Sequence, residues 1–143
     1  MYLWDTNILR HHGENHPVLA AHLDRVSESE IGLPSIVVAE VLRRRCEYVL
    51  KAEPDQIARA NELLLDTLRI VQAIRIIVLD HAAIVVMKQL LVKHKSHKRH
   101  ADLMIAAMAV AGKHTVVTRN RKDFADLLPP AQLQNWIDDP PRG

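Results

Sequence analysis

The chain has 143 residues, enough for one domain with a buried core and too few for two. Apolar residues make up 48% of it and charged residues 25%, which excludes a disordered chain and predicts a single globular, helix-rich domain over 1–143. One cysteine, Cys46, excludes an internal disulfide and suits a reducing compartment, while 19 basic against 17 acidic side chains leave a net charge of +2, too small to define a partner.

In chain order, Met1-Tyr2-Leu3-Trp4 reads as a buried strand that gives way to Asp5. Residues 10–15 are polar, and Pro17 opens a helix over 17–26 with Val18, Leu19 and Leu23 on one side. Ile31-Gly32-Leu33 is a short strand; Ser35, after Pro34, is placed to cap a helix running to about Lys51. Pro54 starts another helix, with Ile57, Leu64, Leu68 and Val71 at helical spacing. Ile76-Ile77-Val78-Leu79 has strand character, and 81–93 and 100–111 are helical, the second ending at Gly112. Thr115-Val116-Val117-Thr118 is a buried strand and 120–128 a short helical turn stopped by Pro129-Pro130. Asn135-Trp136-Ile137 reads as a last edge strand, and 138–143 as a frayed tail. Strands separated by helices predict an α/β fold: a parallel sheet covered on both faces. Asp5 arrives before a hydrophobic leader could form and no apolar run is long enough to span a bilayer, so a soluble, cytoplasmic protein is expected.

Four isolated acids stand where apolar runs meet polar residues: Asp5, Glu40, Asp102 and Asp123. Acids in apolar surroundings need compensation. Asp5 and the 118–123 loop fall at carboxyl ends of strands, where open α/β sheets bind ligands. Glu40 and Asp102 sit in the first or second turn of helices. Converged, the four would repel one another by roughly 4 kcal/mol per contact pair at an effective dielectric near 20. Protons on one or two of them, or a central cation, would relieve that. Carboxylates and water are the natural shell of Mg²⁺ or Mn²⁺, and no Cys/His spacing points to zinc. Such an ion activates a bound water and steadies a phosphate under attack, so metal-dependent phosphodiester hydrolysis is the expected chemistry.

The residues also carry a resemblance. Asp5-Thr6-Asn7 resembles the opening motif of PIN-domain ribonucleases. Pro34-Ser35-Ile36-Val37-Val38-Ala39-Glu40-Val41 is similar to their second motif, and Asp102-Leu103-Met104-Ile105-Ala106-Ala107 to the third. Thr118-Arg119-Asn120-Arg121-Lys122-Asp123-Phe124 resembles the fourth, and Leu133-Gln134-Asn135-Trp136 the closing strand. The ordered set runs over nearly the whole chain and is nearest to the VapC-type toxins of prokaryotic toxin–antitoxin pairs. The resemblance implies a three-layer α/β/α sandwich. It implies a Mg²⁺- or Mn²⁺-dependent endoribonuclease acting on tRNA or rRNA, neutralised by a cognate antitoxin and forming a homodimer. Asp5, Glu40, Asp102 and Asp123 would be the catalytic set, with Asp5, Asp102 and Asp123 at the metal. Thr6, Asn7, Thr118 and Asn120 would hold the acids in place. One departure stands out: many such toxins carry Gly, often Pro, before the third acid, whereas this chain has the His- and Lys-rich run 93–100.

Arg119, Arg121, Lys98 and Arg99 are the candidates for contact with RNA phosphates. His94, His97 and His100 recur every third residue, but the Lys and Arg between them would repel a cation, so this run reads as a basic loop. Plainer readings exist for each acid alone: Asp5 as a turn former, Glu40 as the helical partner of Arg44, Asp102 as a helix-start acid, Asp123 as a surface partner of Arg119 or Lys122. An idle PIN-like protein that only binds RNA or a partner is the alternative function; it would be expected to have lost an acid. An aspartyl phosphatase would want a second Asp where Asn7 stands, and a receiver domain an acidic pair at the first strand. Trp4 and Trp136 are expected in the core.

Overall fold

The computed structural model describes residues 1–95 and 99–143. Its short β-branched and aromatic runs become strands: β1 (Tyr2–Trp4), β2 (Ile31–Pro34), β3 (Arg75–Ile77), β4 (Thr115–Val117) and β5 (Leu133–Gln134). The longer amphipathic stretches become helices: α1 (Thr6–Gly13), α2 (Pro17–Leu23), α3 (Ser35–Lys51), α4 (Ile57–Ala73), α5 (His81–Lys93) and α6 (His100–Gly112). The strands form one parallel sheet in the order β3-β2-β1-β4-β5, flanked by these helices, which is the α/β architecture expected. No helix among the described residues is long and apolar enough to cross a membrane.

The topology positions the site. From β1 the chain builds outward through β2 and β3, then crosses to the other side of β1 for β4 and β5. The carboxyl ends of β1 and β4 therefore border the switch point, the usual ligand crevice of such sheets. Tyr2, Leu3 and Trp4 register with Thr115, Val116 and Val117. Beyond the strands, the Asp5 amide bonds the Val117 carbonyl at 3.3 Å and the Thr118 amide bonds Gln134 at 2.9 Å. Leu3, Trp4, Leu33, Val116, Val117 and Trp136 are almost fully enclosed. Both tryptophans are thus core, in edge-to-face contact at 6.5 Å between ring centroids. Helix α6 is buried over most of its girth (Leu103, Ile105, Ala106, Ala107, Met108, Ala109), which is why its sequence is apolar nearly all round.

Several local expectations are corrected. Helix α1 occupies part of the stretch read only as polar: Asp5 caps it, and Ile8, Leu9 and His11 face inward. Ser35 is the first residue of α3 rather than its cap, and Pro34 holds that place with no side-chain bond. Strand β3 ends at Ile77, leaving Val78 exposed, and Asp80 caps α5 by accepting from the Ala83 amide. Gly112 stays inside α6, and Lys113 takes the left-handed turn, φ 55°. The last strand is Leu133–Gln134, so Asn135, Trp136 and Ile137 follow it as buried residues outside the sheet. The tail is tied down: Asp138 pairs with Arg119, Asp139 with Arg121, and the Asp139 carbonyl meets the His22 ring at 2.7 Å.

Candidate active site

Asp5 is fixed where β1 becomes α1. As the cap of α1 its Oδ1 accepts from the Ile8 amide at 3.1 Å, and its Oδ2 accepts from the Thr118 hydroxyl at 2.6 Å. Thr118 is fully buried at the end of β4, and its Oγ1 in turn accepts from the Asn120 amide at 3.0 Å. One hydroxyl thus orients the acid of one strand and the loop of the next. Burial pushes the Asp5 carboxyl above its ordinary value, against the opposing pull of the Thr118 and Ile8 bonds and of Arg99. A desolvated carboxylate of this kind favours a nearby positive charge.

The other acids arrive from separate elements. Glu40 lies in the second turn of α3, half-buried, and its Oε2 accepts from the Thr6 hydroxyl at 3.3 Å. Asp102 lies buried in the first turn of α6, and Asp123 ends the short turn after β4, half-buried. All four acids line a single cavity of about 290 Å³, together with Thr6, Asn7 and Asn120. Arg44, Arg99 and His100 complete its polar wall, and Phe124 and Ile105 lie at its apolar side. Arg99 spans two of the acids: its Nε lies 3.3 Å from Asp102 Oδ2 and its Nη1 3.2 Å from Asp123 Oδ2.

Among the described residues no three His, Cys, Asp or Glu side chains are gathered tightly enough to enclose a metal ion by direct contact. The donor set nonetheless fits a hydrated hard cation, since Mg²⁺ takes one or two carboxylates directly and keeps several waters. Every acid offers oxygen, and a guanidinium already sits between Asp102 and Asp123, marking where positive charge is favoured.

The basic residues expected to meet RNA stand in different settings. Arg99 lines the cavity, while Lys98 and His97 lie outside the described residues. Arg119 is turned away, in a two-pronged pair with Asp138 at 3.1 Å for each bond. Arg121 is paired with Asp139 beside a separate cavity of about 600 Å³ that includes Trp136 and His22. His94 sits 3.7 Å from Asp126, while His100 lines the acid cavity. Arg44, one of three successive arginines (43–45) of which one or two are expected to reach RNA or a partner, is singled out by the structure. Its signal was available: four residues after Glu40 on one helix, it must share that residue's face. It lines both the acid cavity and an adjoining groove of about 320 Å³ whose rim includes Arg10, Arg45 and Arg59.

The chain is thus a parallel α/β domain with four acids lining one cavity at its switch point. The PIN domain family model matches residues 2–127, and the chain belongs to that family. Among solved structures, it is similar to FitAcB from Neisseria gonorrhoeae, with a TM-score of 0.71 and 25% identity, over 97% of this chain and 100% of that one. A toxin–antitoxin complex from Klebsiella pneumoniae gives a TM-score of 0.70 at 19% identity, over 97% of this chain and 100% of that one. VapBC-1 from nontypeable Haemophilus influenzae gives 0.68 at 21%, over 94% and 97%. No curated protein matches the sequence significantly.

Proposed function

We propose that the chain is a Mg²⁺- or Mn²⁺-dependent endoribonuclease and the toxin of a toxin–antitoxin pair. The observation that carries this reading is the meeting of Asp5, Glu40, Asp102 and Asp123 at one cavity. Membership of the PIN family supports a nuclease, and the likeness to a toxin–antitoxin complex and to VapBC-1 supports an antitoxin partner. Asp5, Asp102 and Asp123 would hold the ion, which when bound lowers the pKa of a water and offsets charge on the phosphoryl oxygens. Thr118 and the Ile8 amide keep Asp5 aimed at the cavity, and Thr6 does the same for Glu40. Glu40, half-buried and anchored on one oxygen, is suited to accept a proton from the attacking water. Arg44 and Arg99 offer guanidinium forks to the phosphates on either side of the cut. A tRNA or rRNA substrate and a homodimer complete the reading; Leu65, Ile84, Val85 and Val92 on α4 and α5 are exposed apolar side chains that an interface would cover.

A second reading, an idle PIN-like protein that binds RNA or a partner, is favoured by one observation: Arg99 already occupies Asp102 and Asp123. The purified, partner-free protein incubated with total RNA and Mn²⁺ separates the two. Discrete cuts that disappear with EDTA and in Asp102→Asn support the nuclease; intact RNA in the presence of folded, RNA-bound protein supports the second reading.

A further inference from the structure

The acids of the cavity are compensated in two ways. Asp5 is buried and held by two hydrogen bonds. Asp102 and Asp123 are bridged instead by Arg99, whose side chain is 64% exposed. Arg99 immediately precedes α6 in an extended conformation; its carbonyl accepts from the Leu103 amide at 3.3 Å, and its side chain makes no cap bond to the helix backbone. It reaches three residues forward to Asp102 and 24 residues forward to Asp123, and its charge is also felt at Asp5. One guanidinium thus acts on three of the four acids.

Resting on the metal-site reading above, we propose that Arg99 is the exchangeable counter-cation of the cavity: its guanidinium and a divalent ion compete for Asp102 and Asp123. In the metal-free chain the fork relieves repulsion between carboxylates that the fold has drawn together. Because the Arg99 side chain is largely in water, its bond to Asp123 is given up readily, whereas the buried Asp102 releases it only when another cation takes its place. A small dication concentrates twice the charge in the same place and displaces the fork, which stays tethered at the cavity mouth. The chain thereby holds its acids in place without metal, at the expense of apparent metal affinity.

Titration calorimetry of Mn²⁺ into the wild type, Arg99→Gln, Arg99→Lys and Arg44→Gln tests this. Arg44 lines the same cavity but has no ion-pair partner among the described residues, so it controls for bulk charge. Arg99→Gln is expected to bind Mn²⁺ about three- to tenfold more tightly than wild type. Arg99→Lys, which keeps the charge, should stay near wild type, and Arg44→Gln should change the affinity by less than about twofold. The rise in melting temperature on adding Mn²⁺ should also be larger in Arg99→Gln. Affinity in Arg99→Gln that is unchanged, weaker, or raised no more than in Arg44→Gln would overturn the competition while leaving the metal-site reading intact. Absence of Mn²⁺ binding in all four proteins would overturn both.

Discussion

At the residue scale, Asp5 does two jobs that pull against each other. It caps α1 and accepts from Thr118, yet burial makes its charge costly. A carboxyl whose folded pKa is raised favours the fold fully below its unfolded value of 3.8, and that contribution is lost as pH rises through the folded value. At neutral pH and without metal, Asp5→Asn is therefore expected to hold or raise the melting temperature, while removing the stabilisation that Mn²⁺ gives. Thermal denaturation with and without Mn²⁺ checks both, and a lower metal-free midpoint would contradict the assignment. Thr118→Val, equal in shape but without the 2.6 Å bond, should weaken Mn²⁺ affinity about ten- to hundredfold, measured by calorimetry on protein whose melting temperature is also recorded. The acids could be read from sequence because an acid beside an apolar run is conspicuous. The pairing of Arg119 could not, because its partner, Asp138, is brought to it only by the fold.

At the element scale, the strands and long helices were legible because periodicity and Pro, Gly and Asp boundaries coincide. Helix α1 was not, because its buried residues come in one short group beside His11 and His12, and its cap is a residue that also reads as catalytic. The end of α6 shows the same limit. Gly112 reads as a helix stop, but its smallness serves a close approach: a Cβ there would run into the His114 imidazole. The left-handed residue is Lys113, which carries the strain a glycine would avoid. Lys113→Gly should stabilise the protein by about 1 kcal/mol; urea unfolding of the variant beside the wild type reads the sign. The tail looked frayed because its acids are ordinary surface acids in sequence, and only the packing of α2 and the 119–121 loop against it supplies His22, Arg119 and Arg121 as partners.

At the scale of the whole molecule, several histidines share one sign. Burial lowers the pKa of His11, His12, His22 and His114 below the ordinary 6.5. The unfolded chain then binds protons first as pH falls, so stability present above pH 6.5 is lost as pH drops toward the folded values. The melting temperature should fall between about pH 7 and pH 5, and His114→Gln should flatten that dependence. Asp5 acts with the opposite sign, so the comparison is cleanest in an Asp5→Asn background. The same global topology draws together acids separated by as much as 118 positions in the chain, from Asp5 to Asp123, which spacing alone could suggest but not deliver. The central claim is that this convergence is a metal centre. Anomalous diffraction from crystals grown with Mn²⁺ tests it most directly. The account predicts a peak in the cavity beside Asp5 and Asp102, with the Arg99 guanidinium withdrawn from Asp102. Fully bound Mn²⁺ elsewhere on the protein, with Arg99 still bridging Asp102 and Asp123, would contradict it.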